Sequence, residues 1–251
     1  PVDGLPNIFL SFDDVSQNTL SVLCRERSIR TLQARDPWLH LLRYQKVKEE
    51  ISLSKLNSEK KVILVTLQWG YDGERDSLNN VIPNGILHPA IVDVFLNTQN
   101  DNIRYLIRMH PIQMNAVGYS HHRQYISTLC KHYTHLEWEF ATNTPLPIVL
   151  DEVCGHITMS SSSVGEALVA GVPTLLLCPT LHEGGDNYGL FRELEPYEMV
   201  IFGELNVADV CSWVRRCPIR DIIQVDPEEI KAVHEEEKRF YKTLIESPSN
   251  F

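Results

Sequence analysis

The chain has 251 residues, 43% hydrophobic and 22% charged, enough to bury a full core in one large domain or two small ones. A net charge of −10 excludes a general nucleic-acid binder, because counterion release needs clustered Lys and Arg. No apolar run reaches the length of a membrane span, and no signal-peptide pattern opens the chain.

The chain opens on Pro1, which points to a start made by processing or selection. Residues 7–11 predict a strand and 16–25 a helix, with a charged, helix-prone connector over 46–61. From Lys61 onward strand and helix signals alternate. Residues 61–68 (KVILVTLQ) predict a central strand, 69–83 a loop holding Gly70, Gly73 and Pro83, and 86–98 a helix. Residues 103–109 (IRYLIRM) predict a strand ended by His110-Pro111, then 119–133 a helix, 136–140 a short strand and 147–153 a helical turn. Residues 153–159 (VCGHITM) read as a buried strand, and four serines follow where the chain must turn. Ser163-x-x-Glu166 has capping-box spacing, and Gly171 and Pro173 stop the helix it opens. Residues 174–178 (TLLLC) and 197–202 predict two more strands, and 207–216 a helix. Asp226 can cap a last helix, with Pro227 at its first position and an end near residue 245. Such βαβα alternation with continuous apolar strands predicts an α/β fold, a Rossmann-like parallel sheet with helices on both faces.

The six cysteines are scattered without a C-x-x-C pair, and no N-x-S/T sequon occurs, which points to a reduced, cytoplasmic setting. The ten histidines form no metal signature, so neither a metal nor another cofactor is expected.

Ligands of parallel sheets bind outside the carboxyl ends of the strands, and five polar features fall there. A turn made of Ser160, Ser161, Ser162 and Ser163 before a helix offers small hydroxyl donors to an anion, with Glu166 in the first turn. His110, left at a strand end by Pro111, can donate to a phosphate or transfer a proton. Asp72, in Tyr71-Asp72-Gly73, can act as a general base on a glycine-rich loop; Asp-Gly is also an ordinary turn pair. The loop LHEGGDNYG supplies His182, Glu183, Asp186 and Asn187 for sugar hydroxyls, and Arg192 can neutralise a phosphate.

In these motifs the chain resembles the nucleotide-sugar-binding, C-terminal half of GT-B glycosyltransferases, above all bacterial sialyltransferases and capsule or lipopolysaccharide transferases. Their acidic-Gly, His-Pro and Ser-rich motifs are matched by Tyr71-Asp72-Gly73, His110-Pro111 and the four serines, and Ser163…Glu166…Gly171-Val172-Pro173 follows the wider GT-B pattern. Tyr71 stands where the sialyltransferases carry a second acid. The resemblance implies that His110 and the serines hold the nucleotide phosphate, that Glu166 faces the ribose, and that Asp72 deprotonates an acceptor hydroxyl. It implies a metal-independent transfer of sugar from a CMP-, UDP- or CDP-linked donor to a glycan acceptor, in surface polysaccharide synthesis. An epimerase of the UDP-N-acetylglucosamine 2-epimerase type and a non-catalytic nucleotide-sugar or partner-binding module are the alternatives. The implied organisation is 1–50 as the tail of an N-terminal α/β domain and linker, 51–225 as the nucleotide-sugar-binding domain, and 226–251 as a helix crossing back to the N-terminal part. Peripheral association with the inner face of the membrane, through the acceptor or an upstream region, fits the same picture.

Overall fold

A computed structural model describes residues 8–11, 14–25, 29–34, 60–68, 86–115, 117–218 and 227–246. The chain divides into two compact units, Pro1–Ile51 with Gln224–Phe251, and Ser52–Ile223.

The first unit contains a βαβ element. Strand β1 (Ile8–Ser11) pairs in parallel with β2 (Arg30–Gln33), and helix α1 (Asp14–Arg25) connects them. Strand β2 has no counterpart in the sequence reading: its Arg-Thr-Leu-Gln run is short and mostly polar. Its pairing is set by the partner strand and by side-chain bonds such as Gln17 Nε2 to Thr31 Oγ1 at 3.1 Å.

In the second unit, six parallel strands are β3 (Lys61–Thr66), β4 (Ile103–Arg108), β5 (Leu136–Glu137), β6 (Gly155–Thr158), β7 (Thr174–Leu176) and β8 (Val200–Phe202), ordered β5-β4-β3-β6-β7-β8. Counted from β3 this is the 3-2-1-4-5-6 order of doubly wound sheets. It places the topological switch point between β3 and β6.

Side chains on alternate residues face opposite ways, so each strand feeds two cores. On one face Ile63, Val65, Tyr105 and Ile107 pack with Val94 and Phe95 of α2 (Pro89–Asn97), Ile126 of α4 (Ser120–His132) and Val210 and Val214 of α8 (Val207–Arg216). On the other, Val62, Leu64 and Leu106 meet Ala141 of α5 (Glu139–Asn143), Val149 and Leu150 of α6 (Leu146–Leu150) and Ala167 of α7 (Ser163–Val169). Helices therefore cover both faces, and the strands are buried runs rather than alternating ones.

Several boundaries differ from the sequence reading for local reasons. Helix α2 starts at Pro89, not residue 86, because His88 is extended (φ −62°, ψ 138°) and its Nδ1 accepts the Ala90 N–H at 3.1 Å. His110-Pro111 does more than end β4: it opens a short helix, α3 (Pro111–Asn115). Strand β5 stops at Glu137, whose carboxylate accepts the Phe140 N–H at 2.6 Å and thereby caps α5. Helix α7 ends as expected: Gly171 takes φ 68°, Gly171 N–H donates to Leu168 O at 2.9 Å, and Val172 N–H donates to Ala167 O at 2.8 Å. The last helix, α9, spans Pro227–Glu246 in the first unit. No helix among the described residues is long and apolar enough to cross a membrane.

Candidate functional site

At the switch point the exits of β3 and β6 are tied together by side chains. Gln68 Nε2 donates to Ser160 Oγ at 2.6 Å, and Thr158 Oγ1 donates to Thr66 O at 3.1 Å. Beneath them lies His156, a fully buried imidazole within β6. Its Nδ1 is 3.1 Å from Thr174 Oγ1, and its Nε2 is 2.9 Å from Thr66 Oγ1. Because Thr174 Oγ1 donates to Val172 O at 3.4 Å, Nδ1–H is the donor toward Thr174 and Nε2 accepts from Thr66. Burial pushes this histidine down to about 3, so the ring is neutral throughout the physiological range.

The four serines are not equivalent. Ser163 is buried, with Oγ 3.1 Å from Thr66 Oγ1, and it donates to Ser161 Oγ at 2.9 Å. Ser160 and Ser161 are half-buried and Ser162 is exposed. The capping box anticipated from Ser163 and Glu166 is not formed. Ser163 is the first helical residue, Ser162 precedes it without a side-chain cap bond, and the Ser163 N–H is met by Ser161 Oγ at 3.3 Å. Polar demand from the buried Thr66–His156 pair draws the Ser163 hydroxyl inward. Glu166 lies within electrostatic reach of Arg108, whose half-buried guanidinium donates to the carbonyls of Ala141 and, at 2.6 Å, Thr144. Burial lowers the Arg108 pKa and Glu166 opposes that shift.

His110 sits just beyond β4. Its Nδ1 accepts the Ile112 N–H at 3.2 Å, which makes Nε2 the protonated nitrogen of the neutral ring. Burial pushes its pKa below the ordinary imidazole value, favouring that neutral form. Its own N–H donates to Gln113 Oε1 at 2.8 Å, while Gln113 Nε2 donates to Gln68 O at 2.8 Å. The His-Pro turn and the serine turn are therefore joined through two glutamines. Tyr71, Asp72 and Gly73 lie outside the described residues.

The loop after β7 is organised around itself and the exit of β8. His182 Nε2 is 3.1 Å from Gly203 O, and Asn187 Nδ2 donates to Thr180 Oγ1 at 2.8 Å. Arg192 opens a 3-10 turn rather than an α-helix. Its guanidinium stacks 3.9 Å above the Phe202 ring, donates to Leu181 O at 3.0 Å and pairs with Glu195 at 3.1 Å. Glu183 and Asp186 are exposed.

Sequence reasoning did not single out Thr66, Gln68, His88, Gln113 or His156. Two signals were present: a second His-Pro pair at 88–89, capped in the same way as the first, and a histidine inside a strand. A cavity of about 20 Å³, room for one water, opens at the exits of β3 and β6 beside Gln68, His88 and Met159. A larger groove of about 460 Å³ lies at the opposite, amino ends of the strands, lined by side chains such as Lys60, Asn100 and His132. Those three are exposed, so it reads as a solvated surface.

No protein-family model matches the chain, and no curated protein matches it in sequence. Solved structures do match in fold. The wall teichoic acid polymerase TagF aligns at 16% identity over 95% of this chain and 59% of its own, with a TM-score of 0.56. A variant of the same polymerase gives 14% identity, coverage of 96% and 59%, and a TM-score of 0.51. UDP-GlcNAc 2-epimerase from Neisseria meningitidis, bound to UDP-GlcNAc, gives 15% identity, coverage of 96% and 61%, and a TM-score of 0.50. At such identities the likeness is one of fold, the GT-B Rossmann-like α/β fold, and the chain spans 59–61% of the length of these proteins.

Proposed function

We propose that the chain is the nucleotide-sugar-binding half of a GT-B glycosyltransferase, moving a sugar from a CMP-, UDP- or CDP-linked donor to a glycan acceptor hydroxyl. The observation that carries this reading is the junction at the switch point, where Ser160 is bonded to the exit of β3 and that exit is bonded to the His110 turn. In the proposed reaction the acceptor oxygen forms a bond to the anomeric carbon as the bond from that carbon to the phosphate oxygen breaks. The electron pair leaves with the nucleotide, and the acceptor proton goes to the Asp72 carboxylate. The departing phosphate is met by neutral donors, the His110 Nε2–H and the hydroxyls of Ser160, Ser161 and Ser162. Fixed donors aimed at developing charge contribute on the order of a few kcal/mol each. Ser163, held in the core, supports the turn from below, and Glu166 faces the ribose. His182, Glu183, Asp186, Asn187 and Arg192 would form the sugar or acceptor side. Residues 1–50 would be the tail of an upstream α/β domain, with the helix after residue 226 returning to it. Fold likeness to a wall teichoic acid polymerase supports a role in surface polymer synthesis, where a membrane-held acceptor would bring the enzyme to the membrane face.

Thermal unfolding with CMP, UDP and CDP tests the reading, because a ligand that binds only the native form raises its stability. Stabilisation by one of them is expected, and silence toward all three would remove the nucleotide site. Asp72→Asn should keep nucleotide binding and lose transfer; retained turnover would exclude Asp72 as the base. The epimerase reading, favoured by the likeness to UDP-GlcNAc 2-epimerase, predicts conversion of UDP-GlcNAc without any acceptor.

A further inference from the structure

Gln113 is fully buried, although it lies in a five-residue helix near the surface rim of the sheet. An amide in such a place costs on the order of 1–3 kcal/mol unless both ends find partners, and a methionine would fill the same space without that demand. Both ends are satisfied. Oε1 accepts the His110 N–H and Nε2 donates to the Gln68 carbonyl, each at 2.8 Å. The amide cannot be reversed, since that would set NH₂ against an N–H and oxygen against a carbonyl. The same Gln68 reaches out with its side-chain amide to Ser160 Oγ at 2.6 Å. Arg123 of α4 donates to the Gln113 carbonyl, fixing the backbone that carries the amide.

We infer that Gln113 is a positioning residue that couples the His110 turn to the Ser160 turn across the switch point. It touches neither turn's ligand-facing groups. It acts through the His110 backbone, which sets where the ring held by Ile112 N–H points, and through the exit of β3, which carries Gln68 to Ser160. The inference deepens the proposed reading, on which it rests for its consequence: two donors from separate strands meet one phosphate only while their spacing is fixed.

The test is Gln113→Met, examined with and without nucleotide. Without ligand, amide exchange at His110 should speed up by about tenfold, the loss of one hydrogen bond, and the amide resonances of Ser160 and Ser161 should shift. Faster exchange at His110 with Ser160 and Ser161 unmoved would overturn the coupling. With whichever of CMP, UDP or CDP the wild-type chain binds, affinity should fall by about tenfold in the wild-type background but less than twofold in a His110→Ala background, because the residue acts through that turn. Equal losses in both backgrounds would reduce Gln113 to a core residue. If the wild-type chain binds none of the three, the phosphate reading fails, and the ligand-free exchange result alone decides the coupling. Should Gln113→Met not fold, Gln68→Met cuts the bridge at a half-buried position: the Ser160 resonances should shift while His110 exchange stays within twofold, and unmoved Ser160 resonances would count against the bridge.

Discussion

His156 makes the stability of the second unit sensitive to acid. In the unfolded chain its imidazole titrates near the ordinary value of 6.5, whereas burial holds it at about 3 in the fold. The folded pKa is the lower one, so between pH 6.5 and 3 the unfolded chain binds the extra proton. The stabilisation is therefore complete above pH 6.5, declines as pH falls through the window, and declines no further below about 3. Integrating over that interval gives a loss of about 2 kcal/mol from pH 7 to pH 5 and about 3 kcal/mol by pH 4. The neighbours of the ring are the neutral hydroxyls of Thr66, Ser163 and Thr174, and among the described residues no carboxylate is in hydrogen-bond reach to rescue the charged form. Native-state hydrogen exchange at the β6 amides, corrected for the intrinsic rate at each pH, reads the unfolding free energy of this unit directly. His110 and His135 are also held below the usual imidazole range by burial, so the comparison needs His156→Gln, which keeps them and removes one titration. The variant should be less stable at pH 7 by about 1–3 kcal/mol, since it satisfies fewer of the three hydroxyls. That gap should narrow by about 2 kcal/mol at pH 5. A gap independent of pH would show that the ring is not kept neutral by its burial.

Two further substitutions test the packing around the site. Gly155→Ala would bring a methyl within 2.9 Å of Cys217 Sγ, 3.0 Å of Ile63 Cδ1 and 3.1 Å of Trp213, so these packed side chains must give way; thermal unfolding should report a loss of about 1–3 kcal/mol. Gly171→Ala forces a β-carbon onto a φ of 68°, where an L-residue is disfavoured, and chemical denaturation should report a loss of about 1–2 kcal/mol without a change in m-value.

The sheet was legible because its strands announce themselves. The run KVILVT is apolar and β-branched as a buried strand should be, IRYLIR ends at a His-Pro pair, and Gly171 with Pro173 marks a helix end by backbone chemistry alone. Strand β2 escaped because Arg-Thr-Leu-Gln carries no apolar periodicity; its conformation comes from β1, a partner distant in the chain. Helix α3 escaped for a related reason. Five residues, the first a proline, are too few to show a 3.6-residue period, yet Pro111 at the first position and the Nδ1 of His110 suffice to start a turn. For the site, the Ser-rich and His-Pro turns could be named from the sequence, since both sit at predicted strand ends. What joins them could not. Gln68 and Gln113 are separated by 45 positions, and a glutamine beside a strand or inside a helix looks like solvent-facing polarity until its burial is known.

The electrostatic character of the crevice follows from that same burial. Two imidazoles near the switch point are both held neutral, His156 by complete enclosure and His110 by partial enclosure together with a backbone N–H on Nδ1. Arg108, at the carboxyl end of β4, turns to the carbonyls of Ala141 and Thr144, with Glu166 nearby. Arg192 lies on Phe202, paired with Glu195. Among the described residues, an anion bound at the serine turn would therefore meet oriented neutral dipoles rather than a mobile side-chain charge. Dipoles of this kind hold an anion only as well as their directions are fixed, because each is weaker than a full charge and falls off faster with misalignment. That is the physical reason to bury an amide such as Gln113 behind the His-Pro turn and to place a satisfied imidazole beneath the serines. On the proposed reading, the rigidity of this polar scaffold would do the work of a flexible lysine or arginine in a more solvated site.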